Sequence, residues 1–269
     1  MADEQKLNYS AELEAYERLV RSAVVVSDNA GNIPTTTLGI EATKIYTRIT
    51  ASVITIDRIL PRNRLNNSDF WDFPSVATLS RTFIETCHRY FYVAEPGQSD
   101  EEQLFRRKLY FYHMNCEKYK LYKDIGYGPE VLGEFEVGLP EAKKELVDCS
   151  FYKKLKPHTR KKVRTGNSEM HLSNDEVAEL YNLSFGRHKS MYRLLSNHAH
   201  GSPFATTSQS NERGRGFENA AERDYLSLCL MLLQRYLSRV VICQVNLLGL
   251  ETKCSNELRS ARIVFYPAE

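Results

Sequence analysis

Residues 226–250, LSLCLMLLQRYLSRVVICQVNLLGL, are the most apolar stretch of the chain, yet Gln234, Arg235, Arg239 and Gln244 interrupt it. Groups that polar are costly in hydrocarbon, so the stretch reads as a buried helix and not as a membrane span. A helix buried on most of its sides needs other helices around it. The rest of the chain supplies them, because apolar residues recur at three-and-four spacing along most of its length.

Helices are expected over 9–27, from Pro34 to Leu60, from Pro74 to Glu95 and from Ser99 to Ile125. The third start uses proline in a first turn, and the fourth uses Ser99 ahead of Asp100-Glu101-Glu102 as a cap. Residues 62–72 read as a polar loop. A short helix is expected over Pro140–Asp148, another from Asn174 to Leu183, one from Arg187 to His200, and a long final one over 217–248. Residues 201–216 read as a flexible Gly/Ser/Thr loop, and the tail 250–269, with ARIVFYPAE, as a short strand or extended arm. No strand pattern alternates with the helices, and no internal repeat is present. The expected fold class is all-α, a multi-helix bundle in one domain over 1–269, with N-terminal helices in 9–60 and a C-terminal tail in 250–269.

The formal net charge of +2 carries no global nucleic-acid or membrane signature, so a basic site must be local. The six cysteines form no CxxC pair, and three lie in apolar helical runs. They read as reduced cytosolic thiols, and MADEQKLNYS lacks the layout of a signal peptide. The expected location is cytoplasmic, with no membrane partner.

The segment YRLLSNHAHGSP, residues 192–203, is unusually dense in chemistry. On a helical wheel Met191, Leu195, Ala199, Tyr192 and Leu194 form the buried face. Lys189, Arg193, Ser196, Asn197 and His200 form one polar stripe opposite it. His198 points toward the apolar side. Gly201 ends the helix and Pro203 prevents its continuation. A guanidinium and an imidazole on one stripe suit phosphodiester chemistry: Arg193 can grip a phosphate as a fork, and His200 can move the proton of a ribose 2′-OH. The same stripe is also what an ordinary surface helix presents.

Arg193 followed by four residues and His198, or by six and His200, resembles the R-x(4–6)-H signature of the HEPN superfamily. The wider stretch is similar to an uncharacterised bacterial HEPN-like family with a Y-R-x-L-S-x-x-x-H core, matched by Tyr192, Arg193, Leu195, Ser196 and His200. That family carries an upstream R-x-x-x-E pair, matched by Arg81 and Glu85 in LSRTFIETCHRYFYVAE. The likeness spans about 70–248. It implies an all-helical core and a metal-independent RNase whose site is completed across a two-fold homodimer or higher oligomer. Arg193, His200, Ser196 and Asn197 would be the catalytic set, with Glu85, Arg81 and His198 in support and no cofactor or metal. It also implies a toxin or antiviral defence role, with a partner protein such as an antitoxin. Many such RNases carry Asn, Asp or His after the arginine, where this chain has Leu194. The alternative is therefore a non-catalytic helical module that binds nucleic acid, a nucleotide or a partner subunit.

Arg81, Glu85, His88 and Tyr92 line a second polar stripe, opposite Leu79, Phe83, Cys87 and Tyr90. Glu85 could orient Arg193 or His200, or form an i,i+4 surface ion pair with Arg81. Glu85 and His88 are also an E-x-x-H unit, but a di-iron site needs a second one, which is absent from the sequence. His198 and His200 diverge by about 200° on a helix and do not make a metal pair. Finally, KKLKPHTRKKVR, residues 153–164, holds seven basic residues and no acid: Lys153, Lys154, Lys156, Arg160, Lys161, Lys162 and Arg164. It follows Phe151 and Tyr152. A flexible basic segment beside aromatic rings suits single-stranded RNA, with charge on the backbone and rings under bases. A solvated loop is the alternative.

Overall fold

The computed structural model describes residues 7–62, 69–95, 97, 99–184, 186, 188–207 and 213–266. Among them there is no strand; Trp71 and Gly216 form an isolated antiparallel bridge. Twelve helices are described: α1 Tyr9–Asn29, α2 Thr37–Ile59, α3 Phe73–Ala94, α4 Asp100–Ile125, α5 Pro129–Asp148, α6 Ser150–Lys154, α7 Pro157–Arg164, α8 Asn174–Leu180, α9 His188–Ala199, α10 Pro203–Thr207, α11 Ala220–Leu248 and α12 Ser255–Phe265. The all-α expectation holds. The chain forms two compact units, one from residues 1–91 and 178–269, the other from 92–177.

The first unit is built around α11. Leu226, Leu233, Leu237, Val240, Val241 and Val245 are inaccessible to solvent. By length and composition α11 could cross a membrane, but most of it is buried against α1, α2, α9 and α12. Its polar residues find partners there. The Gln234 amide donates to Glu12 Oε2 at 2.8 Å, and Gln244 accepts from Tyr90 Oη at 2.9 Å while donating to Thr43 Oγ1 at 3.1 Å. These bonds offset the cost of burying amides in an apolar core. Buried tyrosines obey the same rule: Tyr16 donates to the Val53 carbonyl and Tyr46 to that of Ala23.

The tail is a helix, not a strand or extended arm. Leu258, Ala261 and Phe265 recur at helical spacing and are buried, and α12 packs on α1 and α11. Isoleucine and valine near its end mimic strand composition, and the packed face overrides that propensity. The Arg235 guanidinium lies 4.0 Å over the Phe265 ring. The expected loop over 201–216 contains α10, and residues 208–212 of it lie outside the described residues. So do residues 63–68 of the expected polar loop and Arg187, the expected start of the motif helix.

The second unit joins α4, α5, α6 and α7. Ser99 caps α4 by accepting from the Glu102 amide, as its sequence predicts. Helix α5 begins at Pro129, eleven residues before the expected start. Pro129 occupies the first turn, where a proline costs nothing, while Pro140 sits inside the helix with its lost hydrogen bond on a largely exposed face. The core here is Phe105, Leu109, Tyr112, Cys116, Leu146, Tyr152 and Val163. Beside it lies a buried polar cluster. Arg106, 2% exposed, donates through Nε at 2.9 Å to Glu102, 4% exposed. His171 Nδ1 meets Tyr92 Oη at 2.8 Å, and its Nε2 lies 3.5 Å from Glu102. Burial, and next the Arg106 cation, hold the His171 pKa down at about 4.

Candidate functional site

Helix α9 carries the motif, and it is anchored along its buried side by aromatic and histidine contacts. His188 Nε2 and His88 Nε2, from α9 and α3, meet the Tyr236 hydroxyl of α11 at 2.9 and 2.8 Å. All three are buried. One turn further, the Tyr192 ring lies 4.0 Å under the guanidinium of Arg81, which pairs with Glu85 at 2.5 Å. The stripe Arg81, Glu85, His88, Tyr92 is therefore not a solvent face. Arg81 has a side chain only 13% exposed, His88 and Tyr92 are buried, and Leu79 is exposed instead. A wheel drawn for α3 alone cannot register that neighbouring helices cover its polar arc. Glu85 holds Arg81, and Arg81 presses on the residue beside Arg193. Neither an orienting contact from Glu85 to Arg193 or His200 nor a plain surface pair describes this.

Glu85 and His88 serve separate contacts, one to Arg81 and one to Tyr236, which removes them as a joint E-x-x-H ligand pair. The two motif histidines part as the wheel predicts. His198 is half-buried with its ring edge-on to Phe73 at 5.0 Å, and His200 is exposed. Phe73 also stacks on Tyr225, over which lies the Arg213 guanidinium at 4.6 Å. Burial, and next Arg213, hold the His198 imidazole below its ordinary pKa, which keeps it neutral at physiological pH.

The end of α9 is closed by a cap. Gly201, at φ 56°, donates to His198 O, and the Ser202 amide donates to Asn197 O. This left-handed glycine ending is the one expected from the sequence. Asn197 is spent on it. Its Nδ2 donates to Arg193 O at 2.9 Å, and its Oδ1 accepts from Ser202 Oγ at 2.7 Å. Both ends of its amide are thus engaged within the helix end. Ser196 is half-buried on the same turn. Arg193 and His200 are exposed, and among the described residues no hydrogen bond or ion pair engages either side chain. Seven residues of helix put them about 10 Å apart along the axis.

The basic segment is ordered as α6 and α7. Its aromatic neighbours turn inward. Phe151 packs on Phe105 at 5.3 Å and on His171 at 5.2 Å, and Tyr152 is buried. Phe151 is half-buried and Tyr152 buried, so neither ring lies open on the surface. Lys154 pairs with Glu101 and Arg160 is half-buried, while Lys153, Lys156, Lys161, Lys162 and Arg164 are exposed.

What the fold and site define is an all-helical protein presenting an arginine along, and a histidine at the end of, a firmly anchored helix. The chain belongs to DUF5677, a family of unknown function, whose model matches residues 45–217. The matched span covers α3 and α9, the two helices that meet at Arg81 and Tyr192. No curated protein and no solved structure matches the chain.

Proposed function

We propose that this protein is a HEPN-like, metal-independent endoribonuclease that works as a homodimer, in a toxin or antiviral setting restrained by a partner protein. The observation that carries the reading is the division of labour on α9. His188 and Tyr192 are committed to anchoring, and Asn197 to the helix end. Arg193 and His200 remain exposed on one stripe.

In this reading the Arg193 fork neutralises charge developing on the non-bridging phosphate oxygens. His200 takes the 2′-OH proton as the 2′ oxygen attacks phosphorus. The bond to the 5′ oxygen breaks as His200 of the second copy gives that oxygen a proton, which leaves a 2′,3′-cyclic phosphate on the other fragment. A single chain holds the two groups about 10 Å apart along α9. A two-fold cleft that gathers Arg193 and His200 from both copies brings a base, an acid and two cations around one phosphate. His198, neutral and seated against Phe73, supports the helix end.

The test is RNA cleavage by purified wild type, Arg193→Ala and His200→Ala in EDTA, with the 3′ ends of the products analysed. Cyclic-phosphate ends made by wild type and lost in both variants are expected. Cleavage that survives His200→Ala, or that requires Mg²⁺, overturns the mechanism. RNA bound but left intact by wild type moves the reading to a non-catalytic binding module.

A further inference from the structure

Helix α7 is held by its backbone and free at its side chains. Tyr112 of α4 donates to Arg164 O at 3.1 Å, and Tyr152 of α6 to Arg160 O at 3.4 Å. Just beyond the helix, His113 Nδ1 meets Gly166 O at 2.8 Å and Lys120 donates to Asn167 Oδ1 at 3.0 Å. Val163 turns into the core. The opposite arc carries Lys161, Lys162 and Arg164, with Lys156 and Lys153 just before it, all exposed. Among the described residues none of these five takes part in an ion pair, and the segment 153–164 contains no acid. Five like charges on a fixed scaffold repel one another and are left for an external anion.

The chemistry of that anion is limited by what α7 lacks. Its exposed arc offers no apolar side chain to enter a bilayer, which an interfacial helix requires. Phe151 and Tyr152 pack toward the core, so the exposed imidazole of His158 is not part of a run of rings on which successive bases could stack. What remains is a cluster of exposed positive charge, which suits a sugar-phosphate backbone and reads no sequence. We infer that α7 is a docking surface for the phosphate backbone of helical, base-paired RNA, engaged through Lys153, Lys156, Lys161, Lys162 and Arg164. This rests on the ribonuclease reading for its choice of RNA and extends it to the form of the substrate: structured RNA, and not the single strands that exposed rings would favour.

Binding of the full-length chain to a 2′-O-methyl RNA duplex tests this, since blocked 2′ oxygens prevent cleavage. A single strand of the same length and phosphatidylserine vesicles serve as comparisons. Five phosphate contacts give a slope of about −4.5 in log K against log salt, so affinity falls about 500-fold between 50 and 200 mM. Lys161→Ala/Lys162→Ala/Arg164→Ala removes three contacts, so the slope falls to about −1.8 and the salt effect to about 12-fold. Far-UV dichroism and thermal melting verify that the variant is folded. Duplex binding unchanged in the variant, a salt-independent affinity, tighter binding of the single strand, or binding to vesicles alone each overturns the proposal. If wild type binds the duplex through α7 but never cuts unmodified RNA, the catalytic reading fails and this one stands.

Discussion

The hydroxyl of Tyr236 has one proton and touches two imidazoles, at 2.8 Å to His88 and 2.9 Å to His188. It can donate to only one of the two Nε2 atoms and must accept from the other. One histidine therefore carries its proton on Nε2 and the other does not. Tyr236→Phe keeps the ring packed between the two imidazoles, at 5.4 and 5.9 Å between centroids, and deletes only the oxygen. Two buried ring nitrogens then lose a partner. At about 1–3 kcal/mol for each such loss, the first unit is destabilised by roughly 2–6 kcal/mol. For a chain of this size that lowers the melting temperature by about 5–15 °C. Thermal unfolding followed by circular dichroism gives the shift, and long-range ¹⁵N–¹H correlation spectra of the wild type give the two tautomers. A melting point within a degree of wild type, or the same tautomer at both positions, refutes the reasoning.

His171 makes stability depend on pH. Its folded pKa is about 4 against an ordinary 6.5, so between those values the unfolded chain binds the extra proton. Stability is complete above pH 6.5 and about 3 kcal/mol of it is lost as pH falls to 4; urea midpoints measured across that window should show the loss in wild type and not in His171→Gln. Gly216 sits at φ 83°, and a Cβ there would lie 1.9 Å from the Phe70 ring. Gly216→Ala should cost about 1–2 kcal/mol from the left-handed backbone plus a steric part, and adding Phe70→Ala should recover the steric part alone, as read from chemical denaturation of the single and double variants.

Periodicity made the helices legible where one face is apolar and a cap is present, as in α4 behind Ser99 or α9 ahead of Gly201. It misplaced α5, because Pro140 imitates a first-turn proline and the true one, Pro129, lies eleven residues earlier. It missed α12, whose Ile263 and Val264 resemble a strand until the packed face of Leu258, Ala261 and Phe265 is considered. In the site, the separation of His198 from His200 could be read from angles alone. The burial of Arg81 and His88 could not, because a wheel describes one helix and their partners come from others. Residue type put Asn197 in the catalytic set, and its bonds to Arg193 O and Ser202 at the helix end were not visible in the sequence. Tyr236 gave no signal, being one hydroxyl within a long apolar run.

The order of the chain sets the order of assembly. Residues 92–177 are contiguous, so that unit has all of its residues once residue 177 is made. Helices α1, α2 and α3 are made earlier still, but the helix that fills the space between them, α11, ends at Leu248. Roughly 160 residues separate Phe91 from that point, which is about 8–30 seconds of synthesis. Throughout that interval α1 and α2 can pack on each other, but the faces that they and α3 turn to α11 have no native covering. In that interval the nascent chain exposes the kind of face that chaperones shield, while the contiguous middle unit already has all of its own residues.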